Sequence, residues 1–309
     1  MQVKVIKNST VSKDNYRFIN GFKGMEFCKK EDLVVNADMS ARGFDIIEVE
    51  GNKSKKTGSN KSAYFVHPDL PYVYAECYFR NVDRYAQLIV SKKLFDDYLS
   101  RKAIIINLKM GRYTPCITHI DKVDLHRLVG NTKIADHITG SYNLLIEENI
   151  READSLHNSK NKEQVGVVKD IATGKFIVRL HMNKRLVSDE DMKDLEDMNY
   201  DITDTGIVNV YKDFDTKVEA LKALRMLEER LYKDFAYSPI NDMRGRFDLK
   251  FQQLILGTVT EDDVIKTVLK EYAHDAYSVH RYNLIPLCEK YGIPYNEGIT
   301  LPNGDLVNE

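Results

Sequence analysis

Tryptophan is absent from the 309 residues, cysteine occurs only four times, and no apolar run approaches the length needed to span a bilayer. The last absence argues against a membrane protein. The N-terminus also lacks the charged-then-apolar order of a signal peptide, so an intracellular, cytoplasmic chain is expected. None of Cys28, Cys77, Cys116 and Cys288 stands in a C-x-x-C pair. That spacing argues against a cysteine-built zinc ribbon or knuckle and leaves four buried or half-buried free thiols as the expectation. Neither sign of charge predominates: the net is −2, which by itself does not advertise a nucleic-acid binder.

The distribution of charge says more than its total. Residues 1–100 carry 16 basic and 13 acidic side chains, a net of +3. Residues 101–187 carry 15 and 9, a net of +6, and residues 188–309 carry 14 and 25, a net of −11. A basic middle beside an acidic end could turn one surface toward phosphates and another away, although two solvated faces would look the same.

The length allows two or three compact units. The first hundred residues read as strand-rich, with apolar runs at Val3–Ile6, Phe44–Val49 and Tyr72–Phe79. Between them the basic segment Gly51–Ser62 reads as an exposed loop. Ser91–Leu99 suits a short helix, and Ala103–Leu108 and Pro115–Ile120 read as strands joined through Gly111. Leu125–Val129 is a further short apolar piece. Val165–Asp170, Lys175–Leu180 and Gly206–Tyr211 read as three strands, the first two joined by the turn Ala172-Thr173-Gly174. The acidic stretch Ser188–Asp204 interrupts them as an insertion. A long amphipathic helix is predicted from about Asp215 to Phe235. Val218, Leu221, Leu224, Leu227 and Leu231 line it at three- and four-residue steps, with Asp215 or Thr216 as N-cap. The last seventy residues or so read as mostly helical, one helix starting at Thr260 ahead of Glu261, Asp262 and Asp263.

Four blocks in order carry the chemistry: Leu125-His-Arg-Leu-Val, Ile134-Ala-Asp-His-Ile-Thr-Gly140, Glu148-Asn-Ile-Arg151 and Leu156-His-Asn-Ser-Lys-Asn161. Together they resemble the HNH, or His-Me finger, nucleases, most closely the phage and intron-borne homing endonucleases. Two departures stand out. The interval Gly130–Lys133 is shorter than usual, and isoleucine replaces leucine in the third block, a volume-conserving change.

Hydrolysis of a phosphodiester needs a base for the attacking water and a cation at the leaving oxygen. His137 can be that base, since an imidazole titrates near neutral pH; a structural loop histidine is the alternative. Asp136 and Asn158 offer hard oxygen ligands of the kind Mg2+ takes, and Mn2+ is also expected to serve. Asp136 as a turn cap, or Asn161 or His157 in place of Asn158, are the other possibilities. Because successive strand residues face opposite ways, His137 is expected at a strand end. Asp154 or Ser155 is expected to cap a short helix that presents Asn158, with Asn161 on nearly the same face. The resemblance implies a ββα-metal finger in which Asn149 pins the loop between two strands. His126 and Asn161 would support the site, and Arg127 would brace it or touch a phosphate.

The segment after the motif, Val165-Gly-Val-Val-Lys-Asp followed by Thr-Gly-Lys-Phe, looks like the start of an AP2-type module, three strands packed on one helix. Lys169, Lys175, Arg179, Lys184 and Arg185 are then the candidate DNA contacts. The expected architecture is multi-domain α+β. It comprises a strand-rich segment 1–90, an HNH segment 91–164, an AP2-like sheet and helix at 165–237 with an insertion at 188–204, and a helical region 238–309. The expected function is DNA cleavage with DNA as partner. A non-catalytic DNA-binding or regulatory protein keeping the HNH fold is the competing reading, and an interaction protein working through its acidic half is a third.

Overall fold

The computed structural model describes residues 25–34, 36–51, 60–80, 83–109, 112–118, 121–154, 157–161 and 166–308. The expected strand Val3–Ile6, the interior of the basic loop at 52–59, Gly111, Ile120, Ser155 and Val165 lie outside the described residues. The chain is mixed α+β and divides into two compact units. One is Met1–Asp154 with Asn241–Thr260, the other Ser155–Ile240 with Glu261–Glu309.

The first unit is organised by one sheet. Strands β1 (Asp45–Glu50), β2 (Lys61–Val66), β3 (Tyr72–Phe79) and β4 (Arg84–Ser91) run antiparallel in that order. The exposed loop expected at Gly51–Ser62 ends earlier than that: Lys61 and the buried Ser62 already belong to β2, and Gly51 N donates to Asn60 O at 2.8 Å. Next along the chain come helix Lys92–Leu94, capped by Ser91 Oγ and continued as a π turn Phe95–Leu99, and the hairpin β5 (Ile105–Lys109) and β6 (Arg112–Cys116). The sixth strand therefore stops at Cys116, short of the expected Ile120. Helix Leu125–Gly130 precedes β7 (Ala135–His137), β8 (Leu144–Leu145) and β9 (Ile150–Glu152). Strand β8 joins the main sheet, pairing parallel with β4 through Ile89↔Leu144 and Val90↔Leu145.

A central strand buried on both faces needs two cores, and β3 is buried along nearly its whole length. Tyr64, Val73, Ala75, Leu88 and Val90 pack one face together with Leu125, Ala135, Leu145 and Ile150 from the motif. Phe65, Tyr74, Ile89, Leu144 and Ile146 pack the other face against Phe247, Phe251 and Ile255. The segments 1–90 and 91–164 expected from sequence thus share hydrophobic cores up to Asp154. Part of the expected C-terminal region covers the same sheet. Cys77 and Cys116 are buried here, Cys28 is half-buried, and all are free thiols.

The second unit holds β10 (Val167–Lys169), β11 (Phe176–Asn183), β12 (Asp201–Asp204) and β13 (Ile207–Phe214), antiparallel in the spatial order β10-β11-β13-β12. Along β11, Phe176, Val178, Leu180 and Met182 point into the core while Arg179 and His181 are exposed. Helix Lys217–Tyr232 covers the core face with Ala220, Leu224, Leu227 and Leu231. It starts at a capping box: Thr216 Oγ1 accepts from Glu219 N, and Glu219 Oε2 accepts from Thr216 N, both at 3.3 Å. At Gly166 a Cβ would stand 2.7 Å from Leu224 Cδ1, so a larger residue there would push on the Leu224 side chain.

The stretch Ser188–Asp204, expected as an insertion in a three-stranded sheet, is instead built into the sheet. Ser188 caps helix Asp189–Asp197 through its own capping box with Asp191, and the chain returns as β12, a fourth strand on the edge. Leu195, Tyr200 and Ile202 join the core and carry the stretch inward. Helices Glu261–Tyr272, Ala276–Arg281 and Ile285–Tyr291 follow, with a short hairpin β14 (Ile299–Thr300) and β15 (Leu306–Val307). Arg281 reaches Glu228 of the long helix in a fully buried, two-pronged ion pair at 2.7 and 2.8 Å. No helix among the described residues is long and apolar enough to cross a membrane.

Phe247 is 3% exposed, stacks on Phe251 with centroids 5.5 Å apart and lies 5.9 Å from Tyr74. Phe247→Ala should therefore cost about 3–5 kcal/mol. Urea unfolding followed by circular dichroism reads this directly, and an unchanged midpoint would mean that the downstream segment does not support the sheet.

Candidate active site

Asp124 precedes helix Leu125–Gly130. Its carboxylate accepts from Cys116 Sγ at 3.3 Å and stands 3.5 Å from Arg127 Nε. Asn131 then closes the helix in the left-handed region at φ 47°, a conformation asparagine tolerates. That tight closure accommodates the short interval Gly130–Lys133 and returns the chain into β7 at Ala135.

Strand β7 pairs antiparallel with β9, placing Asp136 opposite Arg151 and His137 opposite Ile150. His137 is the last residue of its strand, where the chain turns with Gly140 N donating to His137 O at 2.8 Å. Alternation sends the two neighbours to different partners. Asp136, 4% exposed, accepts from Arg151 Nε at 2.9 Å, and Nη2 stands 2.7 Å from the same oxygen, Oδ2. His137, 6% exposed, has the Tyr142 ring edge-on at 4.2 Å and the His126 ring at 5.3 Å. Burial pushes its imidazole well below the usual histidine range, and the neighbouring His126 adds to the effect, so the fold favours the neutral ring.

The loop between the strands is held by a side-chain amide. Asn149, 2% exposed, accepts at Oδ1 from Thr139 N at 3.0 Å and Thr139 Oγ1 at 2.7 Å. Its Nδ2 donates to Ser141 O at 3.1 Å and Leu144 O at 2.8 Å. A second asparagine ties the loop to the sheet. Asn143 accepts from Glu26 N at 2.8 Å and donates to Gln87 O at 2.6 Å and Glu26 O at 3.1 Å. Thr139 is also where residues 241–260 close in: a Cβ on Gly245 would fall 2.8 Å from Thr139 O and 2.7 Å from its Cβ.

The first unit thus brings together His126, Asp136, His137 and Asn149, with Arg127 exposed on the preceding helix. Asn158 and Asn161 belong to the second unit. The helix expected to carry them is a single 3-10 turn, His157–Ser159, with Asn158 exposed. Local packing explains the short turn. His157 stacks on Phe235 at 4.7 Å, and Lys160 donates to His181 O at 3.1 Å beside the Tyr232 ring.

Three of the five candidate DNA contacts on the second unit's sheet are in ion pairs: Lys169 with Asp305 at 2.8 Å, Lys175 with Asp215 at 3.8 Å, and Lys184 with Asp204. Arg179 lies 5.3 Å over the Tyr211 ring, and Arg185 is exposed. Reading the sequence missed Tyr142, Asn143 and the pairing of Arg151. Only the register of β7 on β9 reveals the last.

A carboxylate oxygen from Asp136 and an amide oxygen from Asn158 are hard donors whose chemistry suits Mg2+. Among the described residues, no three His, Cys, Asp or Glu side chains gather as a metal-holding group. Compared with protein families, curated proteins and solved structures, the chain matches none.

Asn149→Ala removes four hydrogen bonds, two of them to buried loop carbonyls. A loss of about 1–3 kcal/mol should appear in chemical denaturation, with faster amide exchange at Thr139 and Leu144. Wild-type exchange there would show that the amide does not hold the loop.

Unfolding frees His137 to take a proton near its ordinary value of 6.5. Below that pH the unfolded state binds more protons than the folded one, so stability falls as pH falls. With chelator present, the wild type should lose up to about 1.4 kcal/mol more per pH unit than His137→Gln below pH 6.5. Parallel stability–pH curves for the two proteins would rule this out.

Proposed function

We propose that this chain is a metal-dependent DNA endonuclease of the HNH type. One observation carries the reading: a buried His137 at a strand end, next to Asp136 and beside a loop locked by Asn149. The ordered motif blocks resemble those of the phage and intron-borne homing endonucleases and point the same way.

In this reading His137 takes the proton of the attacking water. A neutral imidazole is the form able to do so, and Tyr142 and His126 hold its ring in place. On the motif's pattern Asp136 would offer an oxygen ligand to Mg2+ or Mn2+, which when bound would stabilise charge on the leaving oxygen, and Asn158 is the second ligand that pattern names. The lysines and arginines of β10, β11 and the turn after β11 supply contacts to the DNA backbone, in the manner of an AP2-type sheet and helix.

The ion pair of Asp136 with Arg151 favours a second reading, a DNA-binding protein that keeps the finger without cutting, because a guanidinium occupies the carboxylate a cation would use. One assay separates the two. Purified protein should nick supercoiled plasmid when Mg2+ or Mn2+ is added and not in chelator. His137→Ala should lower the rate by about 10²–10⁴-fold with DNA affinity nearly unchanged. DNA binding without nicking under any divalent ion would establish the non-catalytic reading.

A further inference from the structure

We propose that Arg151 is the resident counter-ion of Asp136, displaced by the divalent cation and received by a DNA phosphate, so that metal and DNA bind cooperatively. The inference rests on the nuclease reading of the site and concerns how the site is loaded.

The register makes the pair. Asp136 and Arg151 are directly opposed on antiparallel strands, so their side chains share a face. A carboxylate that is 4% exposed needs a compensating cation, because removing its hydration is costly. Arg151 supplies it with two nitrogens on the single oxygen Oδ2. A divalent cation bound at that oxygen would stand within a few ångströms of the guanidinium, and at low dielectric that repulsion is large. The two cations are therefore alternatives for one carboxylate.

Where the guanidinium can go follows from its exposure and chemistry. The Arg151 side chain is 17% exposed, at the edge of solvent, whereas Arg281 in the sealed pair with Glu228 is 1% exposed. A planar fork of donors suits a phosphodiester as well as a carboxylate. DNA at the site offers Arg151 that partner and vacates Asp136. The reverse holds by linkage: a cation at Asp136 releases Arg151 for the phosphate, and each ligand tightens the other by the same factor. Arg151 is then a positioning residue that keeps the metal from loading ahead of DNA. A merely structural cross-strand pair would give no such coupling.

The test measures Mn2+ affinity by electron paramagnetic resonance, with and without mixed-sequence duplex DNA. Every protein carries His137→Gln so that the DNA stays intact. With Arg151 present, DNA should tighten Mn2+ binding by roughly 10-fold or more, within the usual range of coupling between sites. Arg151→Gln should bind Mn2+ more tightly without DNA, by a similar factor, and DNA should then add little. Its melting temperature should also rise more on adding Mn2+, since the ion supplies the missing charge. Arg151→Lys keeps a cation beside Asp136 and should retain the coupling, which decides the matter if Arg151→Gln does not fold. Asp136→Asn is the control for the site itself. If it binds Mn2+ as well as the others, the metal is elsewhere and the nuclease reading of Asp136 falls. If it abolishes binding while Arg151→Gln leaves affinity and coupling unchanged, the exchange alone is wrong. Weaker Mn2+ binding in a folded Arg151→Gln protein would overturn it too.

Discussion

The candidate site depends on the side-chain amide of Asn149. The chain between β7 and β9 is an irregular segment that runs through the interior of a unit, and its backbone donors and acceptors need partners there. One amide group serves three of them, Thr139 N, Ser141 O and Leu144 O, and also accepts from the Thr139 hydroxyl. With the loop held in that shape, Leu144 and Leu145 can lie alongside β4 as an added strand, and their side chains enter the two cores on opposite faces of the sheet. The strand end that carries His137 is thereby fixed to the most buried part of the unit. The general-base role proposed for His137 calls for that kind of mounting, since an ångström of play at the reacting group costs far more in rate than in stability.

Two buried ion pairs, one in each unit, show how geometry separates a structural role from an exchangeable one. Arg281 engages both oxygens of Glu228 with its two terminal nitrogens, and both side chains are sealed. Such a fork-on-fork contact fastens helix Ala276–Arg281 to the long helix and offers no group to a ligand. Arg151 places two nitrogens on one oxygen of Asp136 and keeps part of its side chain in solvent. Removing one partner of either pair leaves an uncompensated charge, but only the second pair can be relieved by a soluble cation.

Legibility in the sequence followed how local each signal was. Strand β3 was readable residue for residue because Tyr72–Phe79 is an apolar run interrupted only by Glu76, with Pro71 before it and Arg80 after it. Helix Lys217–Tyr232 was readable from its apolar spacing, with Asp215 or Thr216 expected as its cap; the structure selects Thr216. His137 at a strand end followed from alternation alone. The acidic stretch Ser188–Asp204 was not readable as helix and strand, because Leu195, Tyr200 and Ile202 are few and separated by charges. A capping box is visible only once the helix is suspected. The attachment of residues 241–260 to the first unit was hidden for a different reason. Phe247, Phe251 and Ile255 announce a buried face, but periodicity cannot say which core receives it. The surroundings of Asn158 were hidden for a related reason: they are set by His157 on Phe235 and Lys160 on His181, contacts between distant segments that no local pattern encodes.

Charge counting along the sequence misjudges what the second unit offers to a polyanion. Lys169, Lys175 and Lys184 contribute to the basic middle, yet each stands beside an aspartate that comes from the acidic end: Asp305, Asp215 and Asp204. The split of +6 against −11 along the chain is therefore partly cancelled in space. These pairs are solvent-exposed to differing degrees, and exposed pairs contribute little to stability, so a phosphate can replace an aspartate at small cost. The carboxylate left behind still repels the backbone, which reduces what each lysine gains. Arg179 is different in kind. It rests on the Tyr211 ring, a partner that supports the guanidinium without neutralising it. Arg185, on the turn after β11, forms no ion pair among the described residues. The positive potential of this sheet is thus set by two arginines more than by three lysines, and its reach into solvent is shorter than the basic count implies.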